Sequence, residues 1–419
     1  MYDVAEILGR LDDIRSWQED LYRHLHAHPE LSRQEHATAA LVARDLREWG
    51  YEVLEHVGGT GVVGVLENGP GRTVLVRADM DALPVREATG LDYASTVTAV
   101  DATGATVPVM HACGHDVHVS CLLSAARLLA AARSAWSGTF AALFQPDEEL
   151  VGGAQAMIDD GLAAAVPRPD VALAQHVLPL PAGTVWTRPG PVLSSADTVR
   201  ITLTGRGAHG SMPQDAVDPV VLAAAVVLRL QTLVSRETSP HDFACRRSGR
   251  RSRGGSAANI IPERAELEIS VRTYEAEVRR RLLDGLERVV TAECRASDAP
   301  TPPRFEYSAH CRATVNDPRV TAIVAEAFGA HFGAAASELE RQTASEDFAV
   351  IADGLGAPYT YWGLGGIDPG LYGRASVARR LTTDVPVLHS PHFAPVIRPT
   401  LATGTEAIVV ATLACLRGG

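Results

Sequence analysis

Three short apolar runs constrain this chain more than any other feature: TVLVRADM from Thr73, GTFAALFQ from Gly138 and DVALAQHV from Asp170. Each is rich in strand-forming residues and nearly unbroken by polar ones, as strands buried on both faces of a parallel sheet are. Helical spacing fills the stretches between them. Two helices open the chain over Val4–Trp49, interrupted at the Pro29 turn, a long one follows His118 through VSCLLSAARLLAAARSAW, and another spans Ala154 to Gly161. Strands alternating with helices predict an α/β layer with a mostly parallel central sheet flanked by helices. The NGPG turn at Asn68–Gly71 reads as a hairpin joining GVVGVLE, near Gly61, to TVLVRADM.

The pattern changes after the Pro/Gly cluster at Pro179–Pro191, which reads as an interdomain hinge. Strand (TVRITLTG from Thr198), helix (Asp218–Leu233), strand (AELEISVRTY), helix (Glu275–Ala296) and strand (PRFEYSAH) then suggest a smaller inserted α+β domain of ferredoxin-like type. A helix over Asn316–Phe332 and the run YTYWGLGG return to the first style, so the first domain is expected to be discontinuous: residues 1–187 and 313–419 around an insert at 188–312. One stretch fits poorly. CRRSGRRSRGG, Cys245–Gly255, puts five arginines where a small sheet wants an apolar strand, and reads as a solvated basic loop or as a local reading-frame error.

Composition removes several function classes. The 419 residues are 46% hydrophobic and 21% charged, within the globular range. Lysine and arginine total 38 against 50 acidic residues, and a net charge of -12 repels a phosphate backbone, so no nucleic-acid partner is expected. The most apolar run, VVLAAAVVLRLQTLV from Val220, is broken by Arg229 and Gln231, so no membrane span is expected. The N-terminus is charged throughout and lacks a secretory core, and six cysteines lie scattered without framework spacing. Both point to a cytoplasmic protein with reduced thiols.

The densest chemistry is MHACGHDVH, Met110–His118: a thiol, three imidazoles and a carboxylate at the start of a helix. Cys113 and His115, with Gly114 relaxing the backbone between them, suit two ligands of one cation. His111 and His118 fit helix capping or hydrogen bonding behind the ligands as readily as coordination. In FQPDEELVGG the adjacent Glu148 and Glu149 repel each other unless a cation lies between them, and a division of labour follows, one carboxylate binding and the other moving a proton. His176, in AQHV, sits just beyond a third strand. RADMDALP, FQPDEE and AQHV all fall at strand ends, where ligands gather in open α/β sheets. VLHSPHF at Val387 offers His389 and His392, which spacing alone cannot tell from surface histidines.

The ordered series LHAHPELS, RADMDALP, HACGHDVH, FQPDEE, QHVLP, GRGAHGSMP, NIIPERAELEISVRT, SEDF and LHSPHF resembles the metal-dependent amidohydrolases of the aminoacylase and peptidase clan over nearly the whole chain. More narrowly it is similar to the hippurate hydrolase and auxin-conjugate hydrolase subgroup. The resemblance implies two divalent metal ions (manganese, zinc or cobalt) held by Cys113, His115, Glu149, His176 and His389, with Glu148 as general base and Asp81 orienting a ligand. It implies that His209 reaches a partner subunit's active site to steady an oxyanion, and that Asn259 and Arg272 hold the substrate carboxylate. A homodimer or homotetramer is expected. The implied reaction is hydrolysis of the amide bond of an N-acyl-L-amino acid (acetyl, benzoyl or similar). The alternatives are an exopeptidase or dipeptidase of the same clan and a catalytically silent metal-binding homologue.

Overall fold

A computed structural model describes residues 2–248 and 259–418. The chain forms two compact units, one of Met1–Val192, Val315–Glu340 and Asp347–Gly419, the other of Leu193–Thr314 and Arg341–Glu346. After a short helix over Val4–Leu8, the main elements of the larger are α1 (Leu11–Ala27), α2 (His36–Glu48), β1 (Glu52–Val57), β2 (Gly61–Asn68), β3 (Thr73–Asp79), α3 (His115–Ala131), β4 (Gly138–Gln145), α4 (Gly153–Asp159), β5 (Val171–Pro181) and β6 (Val185–Thr187). The smaller supplies β7 (Ser195–Thr204), α5 (Pro219–Glu237), β8 (Ala244–Ser248), β9 (Arg264–Thr273), α6 (Ala276–Ala296) and β10 (Arg304–Cys311). The larger resumes with α7 (Pro318–Phe332), β11 (Ala336–Glu338), β12 (Tyr359–Ile367) and α8 (Ile397–Arg417).

The larger unit is built on an eight-stranded sheet in the order β1-β2-β4-β3-β5-β12-β6-β11. Its centre, β4-β3-β5-β12, is parallel. Those strands are the apolar runs, and nearly every residue in them is buried, as burial on both faces requires. The helix α3 packs on β3 and against α1 and α8. The hairpin expected at Asn68–Gly71 does not form. Instead β4 lies between β2 and β3 and pairs with both, Val62 opposite Phe144 and Asp79 opposite Gln145. The turn lifts the chain over the start of β4, where a Cβ on Gly71 would come within 2.9 Å of Gly138 Cα.

Two helices, α5 and α8, are long and apolar enough to cross a membrane by length and composition alone. The apolar window of α8 is 78% buried, the situation of a core helix. Sequence periodicity misses α8 because it is apolar or small on every side and has no polar stripe to phase it.

The smaller unit is an antiparallel sheet in the order β8-β9-β7-β10 with α5 and α6 packed together on it. With the chain order strand, helix, strand, strand, helix, strand, this is the ferredoxin-like arrangement. Alternation is regular along β9, whose inward side chains Ala265, Leu267, Ile269 and Val271 join Leu222, Val226 and Leu286 in the core. The basic loop expected over Cys245–Gly255 is corrected at its start: Ala244–Ser248 is the edge strand β8, with Ala244 opposite Thr273 and Ser248 opposite Ile269. Pairing there is through the backbone, and charged residues are common on edge strands. The remainder, 249–255, lies outside the described residues.

Candidate metal centre

The parallel strands β3, β4 and β5 end side by side, and the chain just past each end carries the chemistry. Asp79 closes β3, with Asp81 two residues on. Glu148 and Glu149 follow β4 across Pro146. His176 lies within β5 and not beyond it, two residues past Ala174, the last β5 residue paired with β3, and opposite Gly363 of β12. Gly114 caps α3 in the left-handed region at φ 82°, and a Cβ there would strike Val177 Cγ1 at 2.3 Å, so the Cys113–His115 turn needs glycine. His389 arrives on a loop fastened by its own N–H to Ala112 O at 2.8 Å.

These elements bring the five predicted ligands together within the larger unit, with Glu148 and Asp81 beside them. Cys113, His115 and Glu149 present ligand atoms that all lie within 4.8 Å of one another. Cys113 Sγ is 3.5 Å from His176 Nε2, and His389 Nε2 is 3.5 Å from Glu149 Oε2. Glu148 Oε2 stands 4.0 Å from His115 Nε2. Asp81 approaches His115 from the other side, Oδ1 to Nδ1 at 3.3 Å, outside hydrogen-bond geometry, while its Oδ2 accepts from Ser32 Oγ at 2.6 Å and from the Glu149 N–H at 3.0 Å.

Several of these atoms are buried without a hydrogen-bond partner: both ring nitrogens of His115, Glu149 Oε1 and Asp81 Oδ1. Buried polar atoms are seldom left so, and a thiol, imidazoles and carboxylates converging on one space match the ligand chemistry of a divalent cation. The electrostatics agree. Burial would lower the His115 pKa, but Asp79, Asp81 and Glu149 outweigh it and raise it to about 10. Burial, helped by Asp81, lifts Glu149 to about 7 against the pull of His115. The Cys113 thiol is pushed well up by burial and the surrounding carboxylates. A divalent cation reverses that balance, favouring thiolate, neutral imidazole and carboxylate together. The residues present therefore fit divalent metal binding.

His118 falls in a second candidate group with Asp79, His115 and His176, but both of its nitrogens are engaged: Nδ1 faces Asp79 Oδ1 at 2.5 Å and Nε2 accepts the Val177 N–H at 2.9 Å. His111 is buried with neither nitrogen partnered, belongs to none of the ligand groups among the described residues, and is held near pKa 4 mainly by burial. His392 is exposed and donates to Ala88 O. The other predicted residues belong to the smaller unit. His209 is exposed, its Nδ1 2.7 Å from Ser211 Oγ, and its strand pairs with Ile260–Ile261 beside Asn259. Arg272, on β9, donates from Nη1 to Thr343 O at 2.9 Å and lies 3.3 Å from Ser345 Oγ.

Sequence reasoning overlooked the layer beneath the ligands. Asp79 joins His118 to the fully buried Arg77, whose Nη1 is 2.6 Å away, and Arg77 Nε also donates to Gln145 Oε1. The signal was available: in a strand, residues two apart share a face, so Asp79 and Asp81 deserve equal weight at the end of β3.

The sequence model of peptidase family M20/M25/M40 matches residues 75–376. The chain is 35% identical to a hippurate hydrolase of Campylobacter jejuni over 362 residues, 85% of this chain and 90% of that one. It is 35% identical to thermostable carboxypeptidase 1 of Saccharolobus solfataricus over 368 residues, 86% of this chain and 89% of that one. Among solved structures, the Bacillus subtilis YXEP protein, a dinuclear metal-binding peptidase, superposes with a TM-score of 0.77 at 27% identity, covering 97% of this chain and 99% of that one.

Proposed function

Because the chain belongs to peptidase family M20/M25/M40, and because its buried ligand atoms converge as described, we propose that it hydrolyses the amide bond of N-acyl-L-amino acids, releasing a carboxylic acid and a free amino acid. The observation that carries this reading is the unpartnered set of His115, Glu149 and Asp81 atoms around Cys113, with Glu148 at its edge. In this reading Cys113, His115, Glu149, His176 and His389 hold two divalent ions, with manganese, zinc and cobalt all compatible with the mixed thiolate, imidazole and carboxylate set. Bound there, such ions supply Lewis acidity to the scissile carbonyl and lower the pKa of the attacking water.

The chain's own residues do the rest. Glu148 takes the water's proton and returns it to the leaving nitrogen. Asp81 holds the His115 ring from its Nδ1 side, and Ser32 and the Glu149 N–H in turn hold Asp81. His209 steadies the developing oxyanion from a partner subunit, and Asn259 with the forked guanidinium of Arg272 receives the free carboxylate of the amino acid. A homodimer, or a homotetramer, fits the apolar side of α5 left uncovered in one chain, where Val221 is 66% and Leu228 72% exposed. Cytoplasmic residence suits a site that depends on the reduced thiol of Cys113.

The test is metal analysis of the purified protein together with an activity screen of N-acetyl and N-benzoyl amino acids against dipeptides, with manganese, zinc or cobalt added. Two ions per chain and preference for acyl amino acids are expected; cleavage by a protein that takes up no divalent ion would overturn the reading. The likeness to the carboxypeptidase favours one second reading, exopeptidase action on short peptides, and a preference for dipeptides in the same screen would select it.

A further inference from the structure

The segment Ser32–Glu35, between α1 and α2, touches no ligand atom, yet it ends up beneath both sides of the Asp147–Glu148–Glu149 tripeptide. On one side the buried Glu35 carboxylate accepts the Asp147 N–H at 2.9 Å through Oε1, which also takes the Arg33 N–H at 2.9 Å, while Oε2 accepts from Thr60 Oγ1 at 2.6 Å. Arg33 Nε adds an ion pair to Asp147 Oδ2 at 2.7 Å. On the other side Ser32 Oγ donates to Asp81 Oδ2, and that same oxygen accepts the Glu149 N–H.

The tripeptide needs such holding. Asp147 has φ 53° and Val151 φ 58°, left-handed values that are unfavourable for a non-glycine residue. The turn closes on itself, with the N–H groups of Gly152 and Gly153 both donating to Asp147 O, and a Cβ on Gly153 would overlap Pro146 O at 1.6 Å. A left-handed residue immediately before Glu148 sets the direction in which the Glu148 side chain leaves the backbone.

We propose that Glu35 is a positioning residue for Glu148: by fixing the Asp147 amide, while Ser32 fixes the Glu149 amide through Asp81, it aims the catalytic carboxylate. The inference rests on the role given to Glu148 above. Glu35→Leu keeps the bulk and removes the acceptor, whereas Glu35→Gln keeps a carbonyl oxygen for the Asp147 N–H and an amide group that can donate to Thr60 Oγ1. A misplacement of about 1 Å costs around 100-fold in rate, so Glu35→Leu is expected to lower kcat by about 10- to 100-fold, with KM changed less than twofold, and Glu35→Gln to restore most of it.

Two readouts do not depend on turnover. Metal content by mass spectrometry is expected to stay at the wild-type value in both variants. Amide hydrogen exchange in peptides spanning 146–153 is expected to quicken in Glu35→Leu and not in Glu35→Gln. If Glu35→Leu leaves kcat and exchange at wild-type values, or if Glu35→Gln is impaired as badly as Glu35→Leu, the proposal is wrong. Should Glu35→Leu fail to fold, Ser32→Ala carries the same comparison from the other side, with kcat lowered at constant metal content supporting it and unchanged kcat overturning it. A wild-type protein that cleaves no substrate would refute the function proposed above and leave the exchange experiment to decide the role of Glu35 by itself.

Discussion

Glu148 and Glu149 are adjacent in sequence, but their surroundings differ, and the proposed function gives them different work. Glu149 has its N–H tied to Asp81, an oxygen 3.5 Å from His389 and another with no hydrogen-bond partner, the setting of a ligand. Glu148 reaches the edge of the same space at 4.0 Å from His115. Glu148→Gln should therefore keep metal content and lose turnover by about 100-fold or more, while Glu149→Gln should lose metal as well. Elemental analysis beside kcat separates the two, and equal metal loss in both variants would show that the roles are not divided this way. Asp81, singled out in the sequence for orienting a ligand, lies 3.3 Å from His115 Nδ1. The Asp79–His118–Val177 chain was not foreseen, because which histidine of α3 meets the carboxylate at the end of β3 is invisible until the packing of that helix on the sheet is known.

At the scale of elements, the site depends on how α3 begins. Gly114→Ala would force a Cβ into Val177 in a backbone region alanine avoids, shifting Cys113 and His115 together. A large loss of metal affinity by titration is expected, and unaltered affinity would show that the turn relaxes freely. The same helix start is bolted from behind by His26 on α1, 2.6 Å from Asp116 Oδ2 and 3.0 Å from Glu87 Oε1. Burial alone would depress His26, but the two carboxylates raise its pKa from 6.5 to about 10. A pKa raised on folding stabilises fully below the unfolded value of 6.5 and loses that contribution as pH climbs toward 10. His26→Leu should cost about 3–5 kcal/mol near neutrality, since it strands two buried carboxylates. In urea titrations the gap to wild type should narrow between pH 7 and 10, and a constant gap would contradict the ion-pair origin. Elements were legible where a polar stripe or a buried apolar run gave them a period. The hairpin at Asn68 was misread because a turn signal does not say which strand will slip between its arms. The edge strand Ala244–Ser248 was hidden by arginines, since backbone pairing needs no particular side chain.

The exposed apolar side of α5 bears on the molecule as a whole. Val221→Glu with Leu228→Glu should give monomers by analytical ultracentrifugation without altering thermal stability by more than a few degrees, and an unchanged sedimentation coefficient would exclude that face from the contact. The large sheet, meanwhile, is not assembled in the order in which the chain is made. The strand β12 belongs beside β5 but follows it by roughly 180 residues. At about 5–20 residues per second, β5 emerges from the ribosome and waits on the order of ten to forty seconds for its neighbour. Throughout that interval the nascent protein shows a hydrophobic strand with one unsatisfied edge, and Cys113 stands without the shelter of the loop carrying His389. Translational pauses between the emergence of β5 and that of β12 lengthen this vulnerable period, so slow codons in that stretch should cost more soluble yield than slow codons upstream of it.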